Sequence, residues 1–379
     1  MKVPLSQQAE AISSFLGEPE WMLSKRLQAV QLLEKMKGSG EVEGFRMERG
    51  KAQIKAECEG PCKVLSFEET ISAGNALKEQ LERHFERQFP ESYLLSFALF
   101  TDAAIAAFGK GKSKAKISCH GNPPEYFAWF FLVEDGAEAE VVLESTVSCS
   151  VSECRTFFIG DEAGLEFAAL HNESGGCSIE TADVYRLGKQ SRAKIFDFDL
   201  GASEKQHQEA IFQEKQGSKC ERYGLSVMAR EQTLKKDLRI SHLAKDTFSR
   251  ANVKHICFGS SKSTLEGKVH IAQEAEGADA SFVAKSLLAS SEASCRLSPQ
   301  IFVHNNQVNA SHGSAVSTFD QEQLFYLQSR GLPEKEAKKM LIEGFGAEIL
   351  GKASSFAFKH IEKMVYGKIA VACKEAEDG

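Results

Sequence analysis

The sequence predicts a mainly β protein, with a core of stacked strands between an N-terminal and a C-terminal helical domain. Apolar residues recur at helical spacing only near the two ends of the chain. Between the ends, short segments alternate apolar and polar residues, which is typical of half-buried strands. Gly136, Gly164, Gly188 and Gly217 punctuate these segments at intervals of 28, 24 and 29 residues. The predicted domains are a mainly helical domain over 1–95, a β core over 96–316 and a helical domain over 317–379.

The composition is that of a globular protein with a sizeable core. Its 379 residues are 42% hydrophobic and 26% charged, and this length favours more than one substructure. The net charge of -7 gives no general attraction for nucleic acid or an anionic membrane, so neither is an expected partner. A polar start and the lack of an apolar run near the roughly 20 residues of a membrane span predict a cytoplasmic protein. The ten cysteines include no CxxC pair, which predicts reduced thiols.

Two helices are expected in the first domain. Residues 5–37 carry apolar side chains at near-helical spacing and predict one helix, which Gly38 ends. A second helix is expected over 72–89, closed by Pro90. From about Tyr93 onward the pattern changes to that of strands.

The core segments share one alternating pattern. Over 137–144, apolar residues alternate with a mostly acidic face, and the same alternation returns around Glu166. Phe196, Phe198 and Leu200 likewise alternate with Asp197 and Asp199. Such units at quasi-regular spacing indicate stacked coils, because each coil buries its apolar face only against its neighbours. A β-helix explains the pattern, and an antiparallel sandwich, which gives similar alternation, remains the alternative.

The last sixty residues predict three helices. Asp320 suits the cap of a helix that stops at Gly331, and Pro333 suits the first turn of the next helix. A final amphipathic helix is expected over 354–371.

Residues 298–345 contain a series of short motifs: Pro299, Ser311-His312-Gly313, Leu324-Phe325-Tyr326-Leu327, Ser329-Arg330-Gly331, Glu336-Ala337 and Gly344-Phe345. In order and spacing they resemble the C-terminal signature of the SufB/SufD family of iron-sulfur cluster assembly proteins. A shorter motif, Glu18-Pro19-Glu20-Trp21 followed by Arg26 and Ala29, resembles the family's N-terminal helical motif. The resemblance implies a right-handed parallel β-helix between helical segments.

Within the family the chain resembles the SufD branch, because SufB proteins have Glu-His-Glu where this chain has Ser-His-Gly. It departs from both branches at cysteine positions. Ala310 stands where SufD-like proteins often carry a cysteine, and Ala293 stands where SufB-like proteins carry a functional one. Cys295 is out of register, so we transfer no cluster-ligand role to it.

The resemblance implies a non-enzymatic scaffold subunit of a SufB/SufC/SufD complex that assists the uptake of iron and cluster formation. A SufB-like scaffold would pair with the β-helix, and the isolated chain could pair with itself. A SufC-like ABC-type ATPase would dock on the C-terminal helices. The isolated chain would hold no stable cofactor, and iron or a cluster would be present only transiently in the complex. The residues assigned to docking of the ATPase are Leu324, Phe325, Arg330, Leu341 and Phe345.

His312 is the candidate metal ligand, at the expected SufB interface. A neutral imidazole can ligate iron, and a strand end beside Gly313 could present it. The alternative is a hydrogen-bonded structural histidine in a strand corner, and the residues alone leave both open. His304, in the preceding turn, could add a second nitrogen, although solvation is the simpler interpretation.

Other patterns favour simpler interpretations. The alternating lysines from Lys110 to Lys116 are typical of a solvated strand edge. Gly111-Lys112-Ser113 does not complete a nucleotide-binding loop, because Ala106 replaces its first glycine. Cys257 and Cys295 are expected to be small buried apolar residues. Two other functions remain as alternatives: a SufB-type scaffold that carries the cluster itself, and a β-helix polysaccharide-acting enzyme that uses Asp197 and Asp199 as an acid/base pair.

Overall fold

The structure, a computed structural model, describes residues 2–37, 41–43, 51–67, 69, 75–82, 84–86, 89–123, 125–147, 149–172 and 176–378. Its core is a parallel β-helix built from two facing sheets, with helices at both ends of the chain. The predicted fold class is therefore confirmed, and the antiparallel sandwich is wrong, because successive strands of each sheet run parallel.

The chain alternates between the two sheets, so that each coil of the β-helix contributes one strand to each. Sheet 1 consists of β3 (Lys51–Glu59), β6 (Gly111–Asn122), β8 (Ala137–Val147), β10 (Gly164–His171), β12 (Arg192–Asp199), β14 (Lys219–Met228), β16 (Phe248–Cys257), β18 (Asp279–Leu288) and β20 (Asn309–Ser317). Sheet 2 consists of β4 (Cys62–Ser66), β5 (Asp102–Phe108), β7 (Tyr126–Val133), β9 (Val151–Ile159), β11 (Ser178–Leu187), β13 (Glu204–Gln213), β15 (Thr233–His242), β17 (Lys262–Ile271) and β19 (Ser294–Val303). Only β3 and β4, at the start, pair antiparallel with their neighbours in these sheets.

The coils stack in register. From β8 to β20, successive strands of sheet 1 begin 27 to 31 residues apart. The glycines that the sequence singled out all lie at the corner where the chain passes from sheet 2 to sheet 1, and Gly136 and Gly217 adopt positive φ there. Stacking places similar side chains on top of one another: the rings of Phe131, Phe157 and Tyr185 lie in one column, with centroids 4.5 and 4.0 Å apart.

The N-terminal segment combines helices with short strands. Its elements are β1 (Lys2–Pro4), α1 (Leu5–Leu16), α2 (Glu20–Lys37), β2 (Glu41–Glu43), α3 (Asn75–Leu81), a 3-10 turn (His84–Glu86) and α4 (Glu91–Leu99). The single helix predicted over 5–37 is wrong, because Gly17 takes a left-handed conformation and ends α1. Of the helix predicted over 72–89, the described part is α3 and the 3-10 turn; residues 72–74, 83, 87 and 88 lie outside the described residues.

Helix α4 was not predicted, and the strands expected from Tyr93 begin later, at Asp102. Pro90 does not close a helix but immediately precedes this one. Seven of the nine residues of α4 are buried, so the helix has no polar stripe and shows no amphipathic period. It covers the outer face of sheet 2, where the Tyr93 and Thr156 hydroxyls lie 2.6 Å apart.

The N-terminal motif joins these helices. The fully buried Arg26 guanidinium forms an ion pair with Glu18, 2.6 Å from its carboxylate, and lies over the Phe100 ring. It also donates hydrogen bonds to the carbonyl oxygens of Ala98 and Phe100, at 2.9 and 3.0 Å. Ala98 lies in the last turn of α4 and Phe100 directly follows it, where the carbonyl groups of a helix lack internal partners. Arg26 therefore holds the corner between α1 and α2 against the end of α4.

The C-terminal helices are α5 (Gln321–Ser329), α6 (Glu334–Leu350) and α7 (Ser355–Asp378). Asp320 caps α5 as predicted, accepting hydrogen bonds from the backbone of Glu322 and Gln323 at 2.9 and 3.2 Å. Helices α6 and α7 pack on the outer face of sheet 1, and α7 extends beyond the predicted 354–371. The β-helix thus carries the N-terminal helices on one sheet and the C-terminal helices on the other.

The C-terminal helices explain why the two faces of β12 are reversed. The sequence predicts that its apolar face lies against the neighbouring coils, whereas in the structure that face lies under these helices. Phe196 and Phe198 face outward beneath the C-terminal helices, whereas Asp197 and Asp199 face the interior. Asp197 pairs there with Lys236 and with Arg222, and Asp199 lies 2.5 Å from Lys236. The two carboxylates are buried and paired with cations, so they do not form the accessible acid/base pair of a polysaccharide-acting enzyme.

The interior ion pairs continue into neighbouring coils. The Arg155 guanidinium donates hydrogen bonds to both carboxylate oxygens of Asp183, at 2.6 and 2.9 Å. The Arg222 guanidinium lies 3.1 Å from the Glu209 carboxylate. The network matches four carboxylates, those of Asp183, Asp197, Asp199 and Glu209, with four cations, those of Arg155, Lys205, Arg222 and Lys236. Each of these eight charged groups therefore has a partner of opposite sign inside the protein.

The lysines from Lys110 to Lys116 do not mark a sheet edge, because β6 has neighbours on both sides. Their ammonium groups pair with the acidic face of β8: Lys114 lies 3.5 Å from Glu140 and Lys116 lies 3.4 Å from Glu144.

The interior network predicts a loss of stability in acid. Burial favours a raised pKa for Glu209, but Arg222 and His207 overcome this effect and lower the pKa to about 2. A carboxyl group whose pKa is lower in the folded chain than in the unfolded chain stabilises the fold at pH values above its unfolded pKa. This stabilisation is lost as the pH falls through the folded pKa. We expect the melting temperature to fall between about pH 4.5 and pH 2. Protonation of Glu209 should account for about 3 kcal/mol of the loss in free energy of unfolding. Circular dichroism across this range measures it.

The matched variants are Glu209→Gln and the exposed Glu231→Gln. The first should lower stability at pH 7 and flatten its decline in acid, and the second should change neither. A wild-type melting temperature that is constant from pH 7 to pH 2 would contradict the assigned ion pairs.

Candidate functional site

The last coil of the β-helix is its most exposed part. Among the described strands, β19 has a neighbour only in β17 and β20 only in β18, so each presents one row of backbone groups without a described strand beside it. Every residue of β20 is exposed, and most of β19 is half-buried. A terminal strand of this kind is a surface on which another chain can dock.

Large apolar side chains collect on this coil. Phe302 and Val303 at the end of β19 and Val316 near the end of β20 are 47%, 46% and 46% exposed. The strands that precede them in the stack bury such residues between the sheets or beneath helices. The terminal coil therefore combines open strand edges with apolar surface, the composition of an interface rather than of a solvated end.

His312, the predicted metal ligand, lies on β20 and is exposed within this surface. Its Nδ1 donates a hydrogen bond to the carbonyl oxygen of Pro299 on β19, at 3.0 Å. In the neutral ring this bond places the proton on Nδ1 and the lone pair on Nε2. The imidazole is thus oriented through one nitrogen and has the other in the form that binds a metal. The contact joins two residues of the C-terminal signature, Pro299 and His312.

His304 lies in the turn between the last two strands of the β-helix. Its ring lies beside that of His270 on the neighbouring β17, with the ring centroids 5.0 Å apart. The histidine is exposed, in agreement with the simpler interpretation of its sequence position.

The C-terminal helices present a second apolar surface. Phe325 and Tyr326 of α5 are 72% and 57% exposed, Met340 of α6 is 49% exposed, and Arg330 lies over the Tyr326 ring. We call Phe325, Tyr326, Arg330 and Met340 the helical patch.

The other residues assigned to docking of the ATPase lie deeper. Leu324 is buried, whereas Leu341 and Phe345 are half-buried. The Lys254 ammonium lies over the Phe345 ring, 4.3 Å from its centroid, and donates to the Phe345 carbonyl oxygen. These contacts join α6 to β16, so Phe345 links the helical patch to the β-helix.

Among the described residues, one group brings three potential metal-ligand atoms together: Asp183, His207 and Glu209, inside the β-helix. Their carboxylates already pair with Arg155 and Arg222, so protein cations occupy the positions that a metal ion would take. His312 belongs to no such group of described residues. It supplies one nitrogen, and further ligands would have to come from another chain.

Two cysteines outside the predicted site lie close together. Cys257 is buried, as predicted, whereas Cys295 is only partly buried and reaches the Cys257 thiol. No sequence pattern indicates this contact, because the residues are 38 positions apart and belong to different sheets.

Within the described part of the chain, no helix has both the length and the apolar character needed to cross a membrane.

Comparison with known proteins places these features in a family. The profile of the family described as SUF system FeS cluster assembly, SufBD core domain, matches residues 128–345, more than half of the chain. The chain is 28% identical, over 195 residues, to an iron-sulfur cluster assembly SufBD family protein of Synechocystis; the match covers 51% of this chain and 43% of the relative.

Two further relatives agree. A SufBD family protein of Mycobacterium tuberculosis is 28% identical over 228 residues, 58% of this chain and 57% of the relative. The chloroplastic protein ABCI7 of Arabidopsis thaliana is 25% identical over 231 residues, 59% of this chain and 48% of the relative. The matches thus span about half the length of these relatives. The chain belongs to the SufBD family of the SUF system for iron-sulfur cluster assembly.

Proposed function

We propose that this protein is a SufD-like, non-enzymatic subunit of a SufB/SufC/SufD complex, acting in the cytoplasm, where it helps iron enter the nascent cluster. The observation that best supports the proposal is the exposed terminal coil, on which the Nδ1 of His312 is hydrogen-bonded to the Pro299 carbonyl oxygen. The Ser-His-Gly sequence around this histidine supports the SufD branch.

The terminal coil would pair with a SufB-like scaffold. Two β-helices that meet end to end can pair their terminal strands and cover Phe302, Val303 and Val316 in the same step. In the absence of the scaffold, a second copy of this chain could take its place. The contact would be a protein interface with apolar centre and paired backbone edges.

At this interface His312 would offer Nε2 to iron. One imidazole holds iron weakly, and iron-sulfur clusters depend mainly on thiolate ligands. The scaffold would therefore supply the remaining ligands, and the isolated chain would retain neither iron nor a cluster. The Pro299 hydrogen bond would keep the ring from turning away when the scaffold is absent.

The helical patch would bind the SufC-like ATPase. Phe325 and Tyr326 give it exposed aromatic surface, and Arg330 adds a charge over one ring. Helix α6 passes directly from the patch to the outer face of sheet 1, with Lys254 bound to its Phe345. Dimerisation of the ATPase could thus strain the β-helix pair and open the interface where iron and sulfur enter.

The His312→Ala variant should assemble normally but form on the order of tenfold less cluster, because it removes the proposed iron ligand. The His312→Asn variant separates the two roles, since its side-chain amide can still donate to the Pro299 carbonyl but is a poor iron ligand. Iron and sulfide content of the reconstituted complex, with melting temperature and complex yield on the same preparations, measures the effect.

His304→Ala is the matched control, because it removes an exposed imidazole from the same end of the β-helix. Normal cluster formation in both His312 variants would eliminate the iron-ligand role. A stable cluster on the isolated wild-type chain would instead favour a SufB-type scaffold.

Phe325→Glu should weaken binding of the ATPase by at least about tenfold while leaving the scaffold bound, because it places a charge in the helical patch. Phe302→Glu should have the reverse effect, since it alters only the terminal coil. Both side chains are exposed, so neither change disturbs the core. Pull-down with purified partners, after circular dichroism confirms the fold, measures both. Full ATPase binding by Phe325→Glu, or by a chain ending near Ser317 that still folds, would exclude this docking site.

A further inference from the structure

A pair of thiols lies inside the β-helix, close to its terminal coil. Cys257 ends β16 in sheet 1, and Cys295 is the second residue of β19 in sheet 2. Both lie near the corner where the chain passes from sheet 1 to sheet 2. They pack with Met228, Leu234 and Ala293 in a small apolar cluster. Cys257 is fully buried, whereas Cys295 belongs to the terminal strand and is partly accessible.

Polar groups surround the Cys295 sulfur. Its neighbours are the Cys257 thiol, the His255 ring and the Ser286 hydroxyl. His255 is fully buried, and its Nδ1 is hydrogen-bonded to Ser263, the residue that pairs with Cys295 in the β17 and β19 register. The other ring nitrogen, Nε2, is buried and makes no hydrogen bond within the described residues.

The surroundings make the two cysteines chemically different. The hydrogen bond from the Cys257 thiol, followed by the neighbouring His255 ring, lowers the pKa of Cys295, whereas the bond to Cys295 and burial raise the pKa of Cys257. Cys295 is therefore the more readily ionised thiol of the two. An accessible thiolate beside a second thiol is the arrangement of a nucleophilic and a resolving cysteine.

We propose that Cys295 and Cys257 form a redox-active pair that a hydroperoxide converts to a disulfide between the two sheets. The proposal goes beyond the role in cluster assembly, which requires neither thiol. Its warrant is the cluster of Cys295, Cys257 and His255, with one sulfur accessible from the terminal coil.

The reaction has two steps. The Cys295 thiolate attacks one peroxide oxygen, so that an S–O bond forms, the O–O bond breaks and the hydroxide that leaves takes up a proton to form water. Cys257 then loses its proton and attacks the Cys295 sulfenic acid; the S–S bond forms and the S–O bond breaks, and the departing hydroxide with that proton gives a second water. Two thiols are oxidised by two electrons and one peroxide is reduced, and a dithiol reductant would reverse the change.

Stoichiometric hydrogen peroxide should produce a Cys257 to Cys295 disulfide in the full-length chain, detected by peptide mass mapping without reduction. Oxidation should be roughly tenfold or more faster at Cys295 than at Cys62, whose thiol pKa is raised to about 12 by burial and by Cys58. Cys257→Ser should stop the reaction at a Cys295 sulfenic acid that dimedone traps, and Cys295→Ser should leave Cys257 reduced.

Cys62→Ser is the control. It removes a thiol that lies beside Cys58, away from the proposed pair, and should leave the Cys257 to Cys295 disulfide unchanged. The proposal is overturned if the folded wild-type chain forms no Cys257 to Cys295 disulfide, or if Cys295→Ser leaves the peroxide reaction of Cys257 unaltered. The wild-type mapping decides the question even if a serine variant fails to fold.

Discussion

In-register stacking of coils is the constraint on which the rest of this structure depends. A coil of a parallel β-helix satisfies its backbone groups and buries its interior side chains only against the coils next to it. Among the described strands, the final coil, β19 with β20, has such a neighbour on one side alone. Its open edges, its exposed Phe302 and Val316 and the exposure of His312 all follow from its place in the stack. The end of the stack is therefore the part of the β-helix that is most available to another chain.

The same stacking explains the interior. Side chains at equivalent positions lie above one another, so aromatic rings form a column and charged groups form a ladder. Asp197 and Glu209 can remain ionised inside the protein because Arg222 lies between them, bound to both. Buried pairs of this kind contribute less to stability than apolar packing of equal volume, but removal of one partner is costly because the other charge is left alone. The network therefore fixes which coil lies above which.

The sequence predicted the architecture but not the orientation of every face. Alternation with a period of two identifies a strand and does not say which face is covered. Phe196 and Asp197 show the difference, because a helix more than a hundred residues later covers the apolar face and stacked cations neutralise the acidic one. Helix α4 escaped prediction because burial on nearly all sides removes the polar stripe. His312 was found through its motif, whereas the contact between Cys257 and Cys295 depends on how two sheets meet, which no local pattern records.

We propose that this subunit meets the cluster scaffold at its terminal coil. Hydrogen-deuterium exchange on the chain, alone and mixed with a SufB-like scaffold, is the decisive experiment, because exchange reports the pairing of backbone N–H groups. We expect slower exchange in the scaffold-bound chain over Ser294–Val303 and Asn309–Ser317, with the strands at the start of the β-helix unchanged. A complex that forms while both of these strands exchange at their free rates would contradict the account.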